Sequence, residues 1–264
     1  MLTRHLFASR FGRPLFGMIH LAALPGAPLF GGSLEAVIDA ALADARALGE
    51  GGCDGMLFEN FGDRPFFKDS VPAETISAMT WVIAAVVREV RLPFGVNVLR
   101  NDAISAVAIA AATGAAFIRV NVHTGAMLTD QGMIEGRAAE TLRLRARLAP
   151  HLLVFADHMV KHAAPPAPVD EAQAAKELRE RGLADAIIIS GRETGAEPDA
   201  ERFARVRAAV DAPLLVGSGL TEANAAMFAG ADGAIVGTSL KRDGRVAGER
   251  VRRLVAAFKA RDGR

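Results

Sequence analysis

The sequence predicts an α/β fold in which eight strand–helix units close into a parallel barrel, and three observations lead to it. Short apolar runs alternate with amphipathic helical stretches along the chain, and parallel strands need such crossover helices. The length of 264 residues is close to the roughly 250 residues typical of a (β/α)8 barrel. Glycine turns follow the last two predicted strands, where barrels of this kind hold phosphate. We therefore expect a single (β/α)8 TIM barrel of the phosphate-binding type.

The predicted elements follow from these two periodicities. Strands are predicted at residues 15–20, 54–59, 94–98, 117–121, 152–156, 186–190, 213–216 and 233–236. Helices are predicted at residues 34–48, 76–89, 103–112, 135–148, 169–181, 201–210, 221–229 and 248–259. Gly49, Gly114 and Gly182 support this register because glycine adopts the left-handed conformation that ends a helix. One domain is expected over 1–264, with 1–14 as a cap or tail, 15–240 as the eight units and 241–264 as a C-terminal helix.

Composition excludes several classes of function. The chain is 51% apolar and 23% charged with a formal net charge of +1, so it offers no basic field and we expect no nucleic-acid partner. The longest apolar stretch, near 81–87, is too short for a membrane span. A lone cysteine, Cys53, is compatible with a reducing cytoplasm. Phe66, Phe67 and the alanine-rich helices could supply the contact of a homo-oligomer.

The two glycine turns predict a phosphate site. Backbone N–H groups at a tight turn that opens a helix are expected to be free to bind an anion. The alternative is that glycine only closes the turn. The predicted phosphate-binding residues are Gly217, Ser218, Gly219, Gly237, Thr238 and Ser239, together with Gly191 after the sixth strand.

Polar side chains gather at the ends of the other strands, where catalytic groups of this fold are found. The predicted catalytic residues are His20, Glu59, Asp157, His158 and Lys161, and the predicted substrate-binding residues are Asn97, Arg119, Asn121, His123, Asp130 and Ser190. Strand alternation places Arg119, Asn121 and His123 on one side and the intervening valines on the other. Buried polar groups need partners, so a mouth this polar indicates a bound polar ligand.

The chemistry of these residues suggests their roles. Glu59 and Asp157 can act as general acid and base, and Lys161 or His158 can stabilise an oxyanion or shuttle a proton. Structural alternatives remain: His20 as a core histidine, Glu59 as a cap of the next helix, and Asp157 as the partner of His158 or Lys161. No lysine lies inside strand five or six, which disfavours Schiff-base chemistry.

Two further features bear on the mechanism. His158 and His162 have a helical spacing but lack the glutamate of the zinc helix, so we expect no metal and no cofactor. The stretch from Gly125 to Gly132, which contains Asp130, is interpreted either as a lid or as a surface connection.

These same residues make the chain resemble the BtpA/SgcQ family over nearly its whole length. The resembling segments are 17–21, 24–26, 59–66, 95–102, 117–122, 129–132, 156–157, 160–162, 190–191 and the two glycine turns. Ala23 and Ala27 depart from the proline and serine expected there. The resemblance implies a TIM barrel; one branch is associated with stabilising photosystem I, and another with sugar-metabolism gene sets.

Two tryptophan-pathway enzymes are less similar. A phosphoribosylanthranilate isomerase should carry a cysteine after strand one and an aspartate after strand six, where this chain has His20 and Ser190. Glu59 and Asp63 resemble the acid pair of the tryptophan synthase α subunit only by analogy. The sequence therefore supports an enzyme for a small phosphorylated sugar or nucleoside-like compound. A non-catalytic assembly factor for a membrane complex is the alternative.

Overall fold

A closed barrel of eight parallel strands forms the centre of the molecule. The computed structural model describes residues 2–191 and 199–260. The strands are β1 (Leu15–His20), β2 (Gly55–Glu59), β3 (Phe94–Asn97), β4 (Phe117–Val120), β5 (Leu153–His158), β6 (Ala186–Ile189), β7 (Leu214–Val216) and β8 (Gly233–Val236). Each strand pairs with the next along the chain, and β8 pairs with β1 to close the ring. The predicted TIM barrel is confirmed.

Helices surround the barrel as the alternating pattern predicts. They are α1 (Arg4–Phe11), α2 (Leu34–Glu50), α3 (Ala73–Glu89), α4 (Ala103–Thr113), α5 (Ala138–Leu148), α6 (Glu171–Glu180), α7 (Ala200–Ala209) and α8 (Gly248–Lys259). Gly114 ends α4 in the left-handed conformation, at φ 80°. Within the described residues, none of these helices combines the length and apolar character that crossing a bilayer requires.

Two predicted helices differ from those observed. Residues 221–229 contain only a 3-10 turn at Ala225–Phe228. Thr221 N–H donates to Asn224 Oδ1 (2.8 Å) and Asn224 N–H donates to Thr221 Oγ1 (3.3 Å), and such local bonds compete with an α-helix. Residue 135 lies in a hairpin strand instead of a helix, because Gly132–Glu135 pairs with Ala126–Thr129 and α5 begins only afterwards.

The N-terminal residues form a plug for the barrel. Thr3 Oγ1 accepts from Leu6 N–H and caps α1, and Phe7 on that helix is fully buried. The Phe7 ring lies 6.0 Å from the Phe155 ring, within a cluster that includes Phe16 at the start of β1. The amino-terminal end of the barrel is thus filled by aromatic side chains.

Side-chain alternation separates an apolar lower interior from a polar mouth. The apolar interior residues near the strand starts and middles are Phe16, Met18, Leu57, Phe117, Leu153, Phe155, Ala186, Ile188, Leu215 and Ile235. The next inward positions, toward the carboxyl ends, are polar on six strands and glycine on β7 and β8. The core therefore ends where the candidate site begins.

Candidate active site

Six consecutive strands each contribute one buried or nearly buried polar side chain to the mouth. Moving around the barrel from β1 to β6, these are His20, Glu59, Asn97, Arg119, Asp157 and Ser190. His20 is paired in register with Glu59, and Glu59 with Asn97, so these side chains stand at one level. These side chains point into the barrel because successive residues of a strand face opposite sides, so that every second residue points inward.

Asp157 is held by a network of hydrogen bonds. Arg119 donates from Nε to Oδ1 (3.1 Å) and from Nη2 to Oδ2 (3.0 Å) of this carboxylate. Asn121 Nδ2 also donates to Oδ2 (2.7 Å), and Asn97 Nδ2 donates to Asn121 Oδ1 (3.2 Å). Arg119 and Asn121 share one side of the chain, as alternation predicts. Both oxygens of Asp157 therefore accept hydrogen bonds from Arg119 and Asn121. The sequence had suggested His158 or Lys161 as the partner of Asp157 instead.

Glu59 is held less tightly than Asp157. Its carboxylate oxygens lie 3.8 Å from His20 Nε2 and 3.9 Å from Arg119 Nη1. Burial lowers the pKa of the His20 imidazole well below its usual value, and Lys241, Lys161 and Arg119 act in the same direction. His20 is therefore neutral near pH 7 and forms no ion pair there. Glu59 does not cap a helix, since α3 begins only at Ala73.

The Lys161 side chain reaches the same mouth from the loop after β5. Burial lowers the pKa of its ammonium group and the Arg119 guanidinium adds to this, whereas Glu59 and Asp157 oppose the shift. A lysine with a lowered pKa is a better proton donor than an exposed one. Lys161, Glu59 and Arg119 together line two adjoining cavities.

The first of these cavities is narrow and lies against the glycine turns. It is about 20 Å³ in volume and is lined by Ser218, Gly237 and Thr238 as well as by Glu59, Arg119 and Lys161. Ser239 Oγ donates to the Leu220 carbonyl (2.6 Å) and joins the turn after β8 to the turn after β7. The two turns and the acid–base residues therefore meet at one end of the barrel.

Close approach explains why glycine stands at the start of both turns. A Cβ on Gly217 would lie 2.1 Å from Ser190 Oγ, and a Cβ on Gly237 would lie 3.2 Å from the His20 ring. Gly219 has a φ of 95°, which side chains disfavour. Gly217 N–H donates to the Ile189 carbonyl (2.7 Å), so the expectation that this amide is free is wrong. Gly191 is buried at the edge of the described residues, and 192–198 lie outside them.

The second cavity is larger, at about 480 Å³. It opens from Glu59, Arg119 and Lys161 toward Phe61, Phe66, Arg64, Arg100 and Asp130. The Phe61 ring stacks on the His20 ring with 4.4 Å between centroids. Of Phe61, Phe66, Arg64, Arg100 and Asp130, Asp130 is the one that stands among the predicted site residues. Arg100 and the two phenylalanines follow the carboxyl ends of strands, as the predicted site residues do. Their position after a strand was the feature of the sequence that could have identified them.

The loop that carries Asp130 is an ordered hairpin beside this cavity. Ala126–Thr129 pairs with Gly132–Glu135, and Ala163–Ala164 adds a third short strand just after Lys161. Asp130 is exposed at the tip, where its carboxylate accepts from Gln131 Nε2 (2.6 Å). The hairpin therefore joins the loop after β4 to the loop after β5.

Two of the predicted histidines lie away from the mouth. His123 has a ring nitrogen 2.8 Å from the Gly182 carbonyl after α6. His158 follows Asp157 on β5 and lines a third cavity, of about 240 Å³, beside α6; Asn121 and Asp157 line this cavity too, but Glu59 does not. Burial lowers the pKa of His158 to about 4. The structure does not bring these two residues together with Glu59.

Several polar residues after β2 and β3 brace loops. Asn60 Oδ1 accepts from Leu99 N–H (2.7 Å), and Asp63 accepts from Leu24 N–H (2.8 Å) and from Asn60 Nδ2 (3.1 Å). Asp102 caps α4 through Ser105 N–H (2.9 Å). Asp63 thus has both oxygens occupied, which argues against the suggested acid pair with Glu59.

Comparison with known proteins identifies the family. The BtpA family model matches residues 12–260. The chain belongs to the BtpA family. It is 47% identical over 235 residues to the photosystem I biogenesis protein BtpA of Synechocystis, covering 88% of this chain and 82% of the relative.

Similarity extends to archaea and to distant barrels. An uncharacterized protein of Pyrococcus furiosus is 46% identical over 235 residues, covering 89% of this chain and 88% of the relative. Thiamine phosphate pyrophosphorylase from Pyrococcus furiosus superposes with a TM-score of 0.58 at 16% identity, covering 96% of this chain and all of that one. At that identity the likeness to the pyrophosphorylase concerns the fold.

Proposed function

We propose that this BtpA-family protein is a metal-independent enzyme that acts on a small phosphorylated sugar or nucleoside-like compound by acid–base chemistry. The observation that carries the proposal is the cavity shared by Glu59, Arg119 and Lys161 with Ser218, Gly237 and Thr238. A phosphate held by the turns after β7 and β8 would place the adjoining carbon atoms beside the carboxylate and the ammonium group. Isomerisation, carbon–carbon cleavage and glycosidic cleavage all fit such a pair.

Different contacts support different roles within the mouth. Glu59 is the proposed general acid or base, because none of the described residues holds its carboxylate in a short hydrogen bond. Lys161 and Arg119 stabilise the negative charge that develops on the substrate, and neutral His20 relays the proton. Asp157 is a positioning residue, since it fixes the Arg119 guanidinium.

Amide groups supply the remaining polar contacts. Asn97 Oδ1 is buried without a hydrogen-bond partner in the described part of the chain, and it is the proposed acceptor for a substrate hydroxyl. Ser190 Oγ, beside Gly217, is likewise buried without a hydrogen-bond partner among the described residues. Asn121 has both amide atoms engaged and holds Asp157 and Asn97 in place. His123 and His158 have no role in this proposal because they lie outside the mouth.

A ligand screen followed by turnover measurements tests the proposal. A phosphorylated sugar or nucleotide at about 100 times its Kd should stabilise the fold by about 2.7 kcal/mol, seen as a rise in Tm. With that ligand as substrate, Glu59→Gln should lower kcat by about 10²–10⁴-fold and retain binding. Glu180→Gln, at an exposed position of α6, is the matched control. Failure of every phosphorylated compound to raise Tm would contradict the proposal.

A second function is favoured by one observation, the 47% identity to a protein named for photosystem I biogenesis. An assembly factor would dock on a protein or membrane surface without turnover. The identity to an uncharacterized protein of Pyrococcus furiosus is nearly equal, at 46%, so the name of one relative does not by itself decide between the two functions. Flotation with thylakoid-lipid vesicles and affinity capture distinguish the two: an assembly factor floats or retains a stoichiometric partner, and an enzyme does neither.

Two properties of the whole protein accompany the proposal. We expect a homo-oligomer, because Phe67 and Trp81 are large apolar side chains with 58% and 63% exposure. We also expect a cytoplasmic location, which suits the free, buried Cys53.

A further inference from the structure

The larger cavity of the mouth carries an excess of positive charge. Among its described lining residues are four cationic side chains and two carboxylates, namely Arg64, Arg100, Arg119, Lys161, Glu59 and Asp130. Arg119 is neutralised by the paired Asp157 carboxylate behind it. Arg64 is exposed at the rim, where its guanidinium lies 5.3 Å from the centre of the Phe61 ring. Arg100 and Lys161 are therefore the cations inside the cavity that need explanation.

Arg100 is buried, and the described part of the chain gives it no acidic partner. Its residue is 6% exposed, and its Nη2 donates to the Lys161 carbonyl at 2.8 Å. Within residues 2–191 and 199–260, no carboxylate oxygen lies within 4.0 Å of the Arg100 guanidinium or of Lys161 Nζ. Burial lowers the pKa of Arg100, and the more distant Asp157, Asp130 and Glu59 only oppose that shift. A buried cation without a counter-ion is costly unless a ligand supplies the anion.

Arg100, unlike Lys161, is separated from the phosphate-binding turns. Ser218, Gly237 and Thr238 line the narrow cavity, whereas Arg100 lines only the larger one. Glu59, Arg119 and Lys161 line both cavities and so stand between the turns and Arg100. A ligand that fills both cavities would pass the proposed acid–base residues with an end at each group of anion-binding residues.

We infer that the substrate carries a carboxylate at the end opposite its phosphate, and that Arg100, assisted by Lys161, binds this carboxylate. The inference rests on the proposed function for the phosphate end. Because Glu59 and Asp130 also line this cavity, a singly charged carboxylate is repelled less there than a second phosphate. The planar guanidinium suits the two oxygens of a carboxylate. Phe61 and Phe66 provide the apolar wall along which the carbon chain lies.

Two matched six-carbon probes test the inference by isothermal titration calorimetry. 6-Phosphogluconate and sorbitol 6-phosphate share the phosphate and differ at the far end, where the first has a carboxylate and the second a hydroxyl. The wild type should bind 6-phosphogluconate at least tenfold more tightly. Arg100→Gln should remove this preference and change the affinity for sorbitol 6-phosphate less than threefold. Arg100→Lys, which keeps the charge, should restore part of the preference.

The outcomes separate this inference from the proposed function. Equal affinities in the wild type, or a preference that survives in Arg100→Gln, overturn the carboxylate site and leave the phosphate site standing. Gluconate, which has the carboxylate but no phosphate, is the third probe. If sorbitol 6-phosphate does not bind but gluconate binds in an Arg100-dependent manner, the phosphate site fails and the carboxylate site stands. Absence of binding by all three probes contradicts both. Should Arg100→Gln not fold, as judged by circular dichroism, the deciding measurement is the ratio of the affinities of Lys161→Gln for 6-phosphogluconate and sorbitol 6-phosphate. A preference for 6-phosphogluconate smaller than that of the wild type supports the carboxylate site, and an unchanged preference overturns it.

Discussion

At the scale of single residues, the buried ion pair between Arg119 and Asp157 neutralises two charges in the mouth. Arg119 is 4% exposed and its guanidinium meets the Asp157 carboxylate through two parallel hydrogen bonds. Burial alone would lower the pKa of Arg119, but Asp157 and Glu59 outweigh it and raise that pKa. Removing one member of such a pair leaves the other charge buried and unpaired.

The Asp157→Asn variant should therefore be strongly destabilised. Loss of the carboxylate should lower the free energy of unfolding by about 3–5 kcal/mol, because Arg119 then lacks its counter-charge. Urea denaturation at pH 7 measures this. Glu59→Gln is the matched control, since its carboxylate lies 3.8–3.9 Å from its neighbours and its removal should change stability by less than about 1 kcal/mol. Equal losses in the two variants would contradict the distinction between a positioning and a reacting carboxylate.

His158 is a second residue with a measurable consequence. Burial lowers the pKa of His158 from its usual value of 6.5 to about 4, with Arg202 acting in the same direction and Glu171 against it. Between these two pKa values the unfolded chain binds the extra proton and the folded chain does not, so stability falls as the pH drops through this window. Through His158, acidification from pH 7 to pH 5 should lower the free energy of unfolding by about 2 kcal/mol.

The His158→Gln variant should lose that part of the pH dependence. Guanidinium denaturation at pH 7 and at pH 5 gives the change for each protein, and the difference between wild type and variant isolates His158. Other titrating groups, including His20 and His123, are common to both proteins. An identical decrease in stability on acidification in both would show that His158 titrates normally in the fold.

At the scale of elements, α1 shows what local pattern leaves out. Residues 1–14 were predicted to be a cap or tail, and α1 (Arg4–Phe11) lies within that range. Phe7 is fully buried, with its ring 5.2 Å from Phe11 and 6.0 Å from Phe155. Its helix carries too little amphipathic pattern to be predicted, because one buried residue in eight gives no stripe.

The Phe7→Ala variant tests the role of α1 as a plug. Removal of the buried ring should lower the free energy of unfolding by about 3–5 kcal/mol, as for other large core truncations. Leu6→Ala, at a site that is 53% exposed, should stay within about 0.5 kcal/mol of wild type. Thermal and urea unfolding of both variants provide the comparison. A Phe7→Ala protein as stable as Leu6→Ala would mean that α1 is dispensable.

At the scale of the whole molecule, the expected homo-oligomer remains a prediction. Phe67 is exposed in the loop between β2 and α3, and Met227 is exposed in the 3-10 turn after β7. Sedimentation velocity should give a mass at least twice that of one chain. Phe67→Ser should shift the protein toward monomer, and Met227→Ser should not. A wild-type monomer at micromolar concentration would contradict this expectation.

The barrel and the composition of its mouth were predictable from the sequence alone. Short apolar strands, crossover helices and strand alternation are local properties, so they place His20, Glu59, Asn97, Arg119 and Asp157 at strand ends without knowledge of the packing. The hairpin after β4 and the 3-10 turn after β7 were missed, because side-chain and cross-strand hydrogen bonds there override helical periodicity.

Only the tertiary structure decided how these residues are paired. Closure of the ring brings Asp157 against Arg119 and Asn121. It places His123 near the end of α6, and it places His158 at the cavity beside α6 that Asn121 and Asp157 also line. It also sets Arg100, from the loop after β3, beside Lys161 from the loop after β5. Periodicity along one strand specifies the side on which a residue points, but contacts between strands depend on register around the closed barrel, which no local pattern encodes.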